Sequence, residues 1–129
     1  MYNPDGWMEK LQGMSALPMF LMGLKMTEVF HCSWTEDSEA SCAAASDHKF
    51  LGANGVTIDQ DRSMVYVNDP VDKMITAMER DKKTGKLSKV SEIKLPFGAD
   101  NIEYDDEADE IIIGIYHQTI IISTCAATF

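Results

Sequence analysis

Basic residues are scarce in this chain: 11 Lys and Arg stand against 21 Asp and Glu, giving a formal net charge of −10 over 129 residues. That balance argues against nucleic acid as a partner, because phosphate binding draws on clustered Lys and Arg. The one basic cluster, Arg80-Asp81-Lys82-Lys83-Thr84-Gly85-Lys86, is interrupted by Asp and Gly and reads as a solvated hairpin turn. Long apolar runs are also missing, since no stretch reaches the roughly 18 uninterrupted residues of a spanning helix. The start carries Asp5 and no basic segment, which is not the pattern of a signal peptide. Cysteine is limited to Cys32, Cys42 and Cys125, with no CxxC and no zinc-like spacing. Cys32 and Cys42 fall on two candidate strands separated by a polar turn. A cross-strand disulfide is open to them, although buried thiols are the expected state.

The common catalytic signatures are absent as well. There is no Gly-x-Ser-x-Gly nucleophile motif, no phosphate-cradling glycine loop, no His-Glu-x-x-His and no twelve-residue calcium loop. Asp59-Gln60-Asp61 and Asp105-Asp106-Glu107 lack the central Gly and flanking helices of such a loop and read as hairpin turns.

What the chain does contain is a repeat. Gly52-Ala53-Asn54-Gly55-Val56, leading to Val67-Asn68-Asp69, is echoed by Gly98-Ala99-Asp100-Asn101-Ile102, leading to Ile113-Gly114-Ile115, at an offset of 46 residues. Each copy runs from a Gly-Ala pair through Asn or Asp into a short strand, an acidic turn and an alternating β-branched strand. A period of about 40–50 residues built from short strands indicates radially stacked four-stranded sheets. The composition, 45% hydrophobic and 25% charged, is that of a globular chain. A propeller of four or more blades needs roughly 180 residues at this period, so the expectation is a partial propeller.

Two regions are expected, residues 1–27 and 28–129. In the first, Trp7, Met8, Leu11 and Met14 have helical spacing, and Pro18 should break or kink any continuation. This apolar segment reads as a helix and loop packed over a sheet; contact with a lipid or membrane surface through residues 7–26 is the other reading. From Glu28 onward the text is strand and turn: Glu28–Trp34 and Glu39–Ala45 as a hairpin, four strands within residues 54–95, and a third blade beginning at Asp100. The fold class expected is all-β, about two blades of a propeller with an N-terminal helical segment. Residues 54–95 should form one four-stranded antiparallel sheet.

Phe50-Leu51-Gly52-Ala53-Asn54-Gly55-Val56-Thr57-Ile58-Asp59, with Val65-Tyr66-Val67-Asn68-Asp69 after it, resembles the Ala-Asn-Gly blade motif of the paraoxonase/arylesterase family. Ala99-Asp100-Asn101-Ile102, with its acidic turn and Ile113-Gly114, resembles that family's Asp-Asn motif one blade later. Leu21-Met22-Gly23-Leu24 running into Val29-Phe30-His31-Cys32-Ser33 resembles the segment that links the family's active-site helix to an outer hairpin. The resemblance implies a six-bladed propeller with calcium in its central tunnel and a calcium-dependent arylesterase, lactonase and paraoxonase-type activity on small esters, lactones or organophosphates. It further implies an extracellular or secretory location. Asn54, Asp100 and Asn101 are the implied calcium ligands, and Asp100 is the implied nucleophile or base. Their side-chain oxygens suit a hard cation that takes six to eight oxygen ligands. By residue type alone, Asn, Asp and Gly at strand starts also serve to satisfy turn backbone groups.

The departures from the family pattern are specific. The Glu and further Asn expected from earlier blades have no counterpart. His31 and His48 match no catalytic position and are expected in surface or core roles. Where the family has a His after the Asp-Asn strand, this chain has Tyr116, with His117 one residue later and therefore on the other face of a strand. The chain is thus expected to be an incomplete portion of a hydrolase, with a non-catalytic interaction module as the alternative.

Overall fold

The computed structural model describes residues 21–36 and 39–115, and the backbone of 119–123. The helix expected over the first residues, Cys125, Tyr116 and His117 lie outside the described residues. Among the described residues nine strands follow one another: β1 (Phe30–Ser33), β2 (Ser41–Ala44), β3 (Gly55–Ile58), β4 (Met64–Asp69), β5 (Met74–Arg80), β6 (Leu87–Lys94), β7 (Asn101–Asp105), β8 (Glu110–Gly114) and β9 (Thr119–Ser123). They form three antiparallel sheets of two, four and three strands, each in sequential order. The chain is all-β, with the architecture of a partial propeller, and residues 54–95 make the expected four-stranded sheet.

The central sheet is covered on both faces. Alternation sends Val65 and Val67 of β4 and Met78 of β5 into one apolar cluster with Ala45, Phe50 and Leu87, beneath the β1–β2 hairpin. Ile75 points the other way and packs with Leu95, Ala99, Ile102, Ile111 and Ile113, between the central sheet and the β7–β9 sheet. Such double coverage explains why β4 and β5 read as nearly continuous runs rather than as clean alternation. The two sheets also touch through their innermost strands, β3 and β7, where Tyr104 N–H donates to Thr57 Oγ1 at 3.1 Å. Tyr66 and Tyr104 stack across the same junction with ring centroids 5.9 Å apart. Gly55 permits this approach, because a Cβ there would sit 3.1 Å from the Ile102 backbone nitrogen.

Turn chemistry closes the hairpins where the sequence placed them. Asp81 Oδ1 accepts from the amides of Lys83 and Thr84, and Gly85 takes the left-handed conformation at φ +73°. Asp59 and Asp105 do the same in the acidic turns, accepting from Ser63 and Met64 and from Glu107 and Ala108. The expectation of buried thiols is overturned. Cys32 and Cys42 are directly paired across β1 and β2 and joined as a disulfide. The two-stranded hairpin is too thin to bury either side chain, and Cys42 is exposed. His31 lies exposed on β1 against Gly85, while half-buried His48 sets its ring edge-on to Phe50.

Asp69 closes β4 with a buried carboxylate, only 2% exposed. Its Oδ2 accepts from the backbone amides of Leu51 and Gly52 at 2.7 and 3.1 Å, and its Oδ1 from those of Val71 and Asp72 at 3.1 and 3.0 Å. One side chain thereby joins the loop that enters β3 to the turn that leaves β4. Asp69→Ala should cost about 3 kcal/mol or more, since each buried donor left without a partner costs about 1–3 kcal/mol. Urea unfolding checks this, with Asp69→Asn expected to lose less because it keeps one acceptor oxygen. Reduction of the Cys32–Cys42 bridge, which closes a short loop of 10 residues, should lower stability by about 2–3 kcal/mol, measured by the same unfolding transition with and without reductant.

Candidate functional site

The starts of β3 and β7 carry the sequence-predicted residues, and the ladder geometry puts them side by side. The Asn54 amide nitrogen donates to the main-chain oxygen of Asn68 at 3.0 Å, and that of Asp100 to Gly114 at 2.8 Å. These are the same hydrogen bond in two successive repeats, each fixing the residue just ahead of an inner strand. Asn54 and Asp100, equivalent positions of the repeat, then meet across the junction. Asn54 Nδ2 donates to Asp100 Oδ1 at 2.7 Å and to the Asp100 main-chain oxygen at 3.0 Å. A charged acceptor makes the first of these the stronger bond.

Asn101 sits one residue farther on. It is exposed, its main chain pairs with Gly114, and it lines a shallow hollow with Glu103, Ile112 and Gly114. Among the described residues no hydrogen bond joins its side chain to the Asn54–Asp100 pair. Two of the three expected ligands are therefore in direct contact, and the third is adjacent along the chain.

Sequence reasoning missed Asn68. This residue is fully buried on β4, and its Nδ2 donates to the main-chain oxygens of Ala99 at 2.7 Å and Asp100 at 2.9 Å. Polar residues at the end of a strand read as turn punctuation. The available signal was that Asn68 and Asp69 are consecutive polar residues in a strand apolar on both faces, so both faces receive one.

The leftover atoms show what this arrangement can hold. Each of the two amide nitrogens spends its hydrogens on a pair of oxygens, and both converge on the Asp100 main-chain oxygen. Asn68 Oδ1 is buried and has no hydrogen-bond partner. Among the described residues, neither Asn54 Oδ1 nor Asp100 Oδ2 takes part in these bonds. The uncommitted side-chain atoms of Asn54, Asn68 and Asp100 are thus oxygens, the hard donors that calcium prefers. Their chemistry fits that cation, though their number does not fill a shell of six to eight. Among the described residues no group of three or more His, Cys, Asp or Glu converges on a metal position.

The two tyrosines of the junction face the opposite end of the inner strands. Tyr104 donates its hydroxyl to Asp109, and this bond, with desolvation and the Asp109 charge, pushes its pKa well above the ordinary tyrosine value. Burial is the main cause of the upward shift at Tyr66. Both remain protonated in any physiological range and serve the junction as packed rings rather than as proton carriers.

Comparison with known proteins bears on the whole chain. No curated protein matches it. The family model described as Arylesterase matches residues 15–127, which span the hairpin, the central sheet and the β7–β9 sheet alike. With that match over most of its length, the chain belongs to the arylesterase family, the family of the paraoxonases.

Proposed function

We propose that this chain carries part of the site of a calcium-dependent ester hydrolase acting on small aryl esters, lactones or organophosphates. The observation that supports this reading best is the Asn54–Asp100 contact across the blade junction, with its excess of uncommitted oxygens. Asn54, Asp100 and Asn101 would hold the ion, supplying three oxygens and leaving the rest of the shell to water or to ligands from other blades. Bound calcium would polarise the scissile carbonyl or phosphoryl oxygen. Asp100 is half-buried and holds its Oδ1 against the Asn54 amide. That bond orients the carboxylate and leaves Oδ2 to attack the substrate or to take a proton from water. A general base or a second acid from outside the described residues would complete the proton transfers.

An extracellular or secretory location belongs to the same reading. The Cys32–Cys42 disulfide supports it, because such bridges persist in oxidising compartments.

A second reading has its own supporting observation. Asn54 and Asp100 satisfy one another, so the pair would serve equally as a latch between blades in a non-catalytic interaction module. Calorimetric titration with calcium separates the two. We expect weak binding that disappears in Asp100→Ala, and an unchanged isotherm in that variant would rule the calcium site out. The 129-residue chain should hydrolyse phenyl acetate or a lactone only feebly at saturating calcium, because a missing general acid or base forgoes a factor of about 10²–10⁴. Robust calcium-dependent turnover, abolished by Asp100→Asn, would mean instead that the site is not dispersed over further blades and that this chain holds the machinery itself.

A further inference from the structure

We infer that Asn68 is a positioning residue for Asp100, holding the site from inside the blade junction. Three observations carry this. Asn68 is fully buried. Both hydrogens of its amide go to the neighbouring blade, to the main-chain oxygens of Ala99 and Asp100. Its own Oδ1 has no partner, so those two are the hydrogen bonds that orient the side chain.

The geometry has a specific effect. The Asp100 main-chain oxygen accepts from Asn68 at 2.9 Å on the buried side and from Asn54 at 3.0 Å on the exposed side. Two donors use both lone pairs of that oxygen. Its direction is therefore fixed, and with it the ψ of Asp100, while the Asp100 amide bond to Gly114 restrains φ; together they set the reach of its carboxylate toward Asn54. Asn68 also belongs to the strand whose main-chain oxygen accepts from the Asn54 amide. A single residue thus sets both partners: Asn54 through its backbone and Asp100 through its side chain. An apolar residue at position 68 would fill the space and leave the Ala99 oxygen without this donor.

The inference rests on the calcium reading only for its metal arm, so the test has two arms. Asn68→Asp keeps the shape of the side chain and removes the donors; Asn68→Ala removes the donors and the volume. Val67→Ala is the control, a neighbouring buried residue on the same strand whose side chain faces the other apolar cluster. In the first arm, the side-chain amide resonances of Asn54 are followed by NMR in calcium-free protein. They should shift and exchange faster in both Asn68 variants and stay in place in Val67→Ala.

The second arm is calcium titration by calorimetry. Affinity should fall about tenfold to a hundredfold in the Asn68 variants, the usual effect of removing a group that orients a ligand, and hold in the control. Asn68→Asp adds a negative charge near the ion, so a loss there cannot come from charge alone. Tighter binding in Asn68→Asp would overturn positioning in favour of direct ligation. Asn54 resonances equal in Asn68→Ala and Val67→Ala would reduce Asn68 to a packing residue. If Asn68→Asp does not fold, Asn68→Ala carries both comparisons. If the wild-type chain binds no calcium, the functional reading fails and the resonances alone decide the role of Asn68.

Discussion

The buried Asp69 carboxylate is the interaction on which the geometry of the junction depends. An ionised group is expensive to bury unless its oxygens are satisfied, and here four backbone amides satisfy them. Those amides come from the loop ahead of β3 and the turn after β4. Fixing both places the start of the inner strand, and with it Asn54. Asn68, the residue before it, faces the opposite side and reaches the start of β7. Two consecutive polar side chains thus organise the two sides of one sheet, each by binding main-chain groups of a different segment.

Donor exhaustion decides the chemical character of the site. Amide nitrogens that would otherwise repel a cation are turned inward onto main-chain oxygens and one carboxylate oxygen. What Asn54 and Asp100 have left over is oxygen. A carboxylate beside a neutral amide keeps one negative charge available, and the surrounding acidic composition of the chain, −10 overall, adds an attractive field for cations without fixing where they bind.

The strands were legible because hydrophobic period and turn chemistry agreed at each boundary. β5 begins at Met74 because Lys73 adopts φ +54° and so belongs to the preceding turn. The repeat was legible through its Gly-Ala pairs, while Gly55, required by the close approach of β7, has Asn101 as its counterpart in the second copy. Asn54 and Asp100 could be singled out because the motifs that carry them resemble the family's; position at strand starts one period apart reads equally as turn chemistry. Asn68 was missed because its partners on the neighbouring blade are a property of packing, and its one local mark, a polar residue beside Asp69 at the end of an apolar strand, reads as turn punctuation. The disulfide was ambiguous for a similar reason: pairing depends on register, and directly opposed Cys32 and Cys42 differ by one residue of slip from two thiols on opposite faces.

Asn54 and Asp100 occupy the same place in successive repeats, 46 residues apart. A tandem duplication brings identical residues to such a contact, and identity is the wrong choice there. Two carboxylates would repel, while two carboxamides would carry no charge to offer a cation. Only the mixed pair gives a donor, an acceptor and a net negative charge in one contact. The usefulness of this junction therefore lies in a broken symmetry: the blades had to stay alike in backbone to meet at all, and had to diverge by one side chain to make the meeting chemically productive.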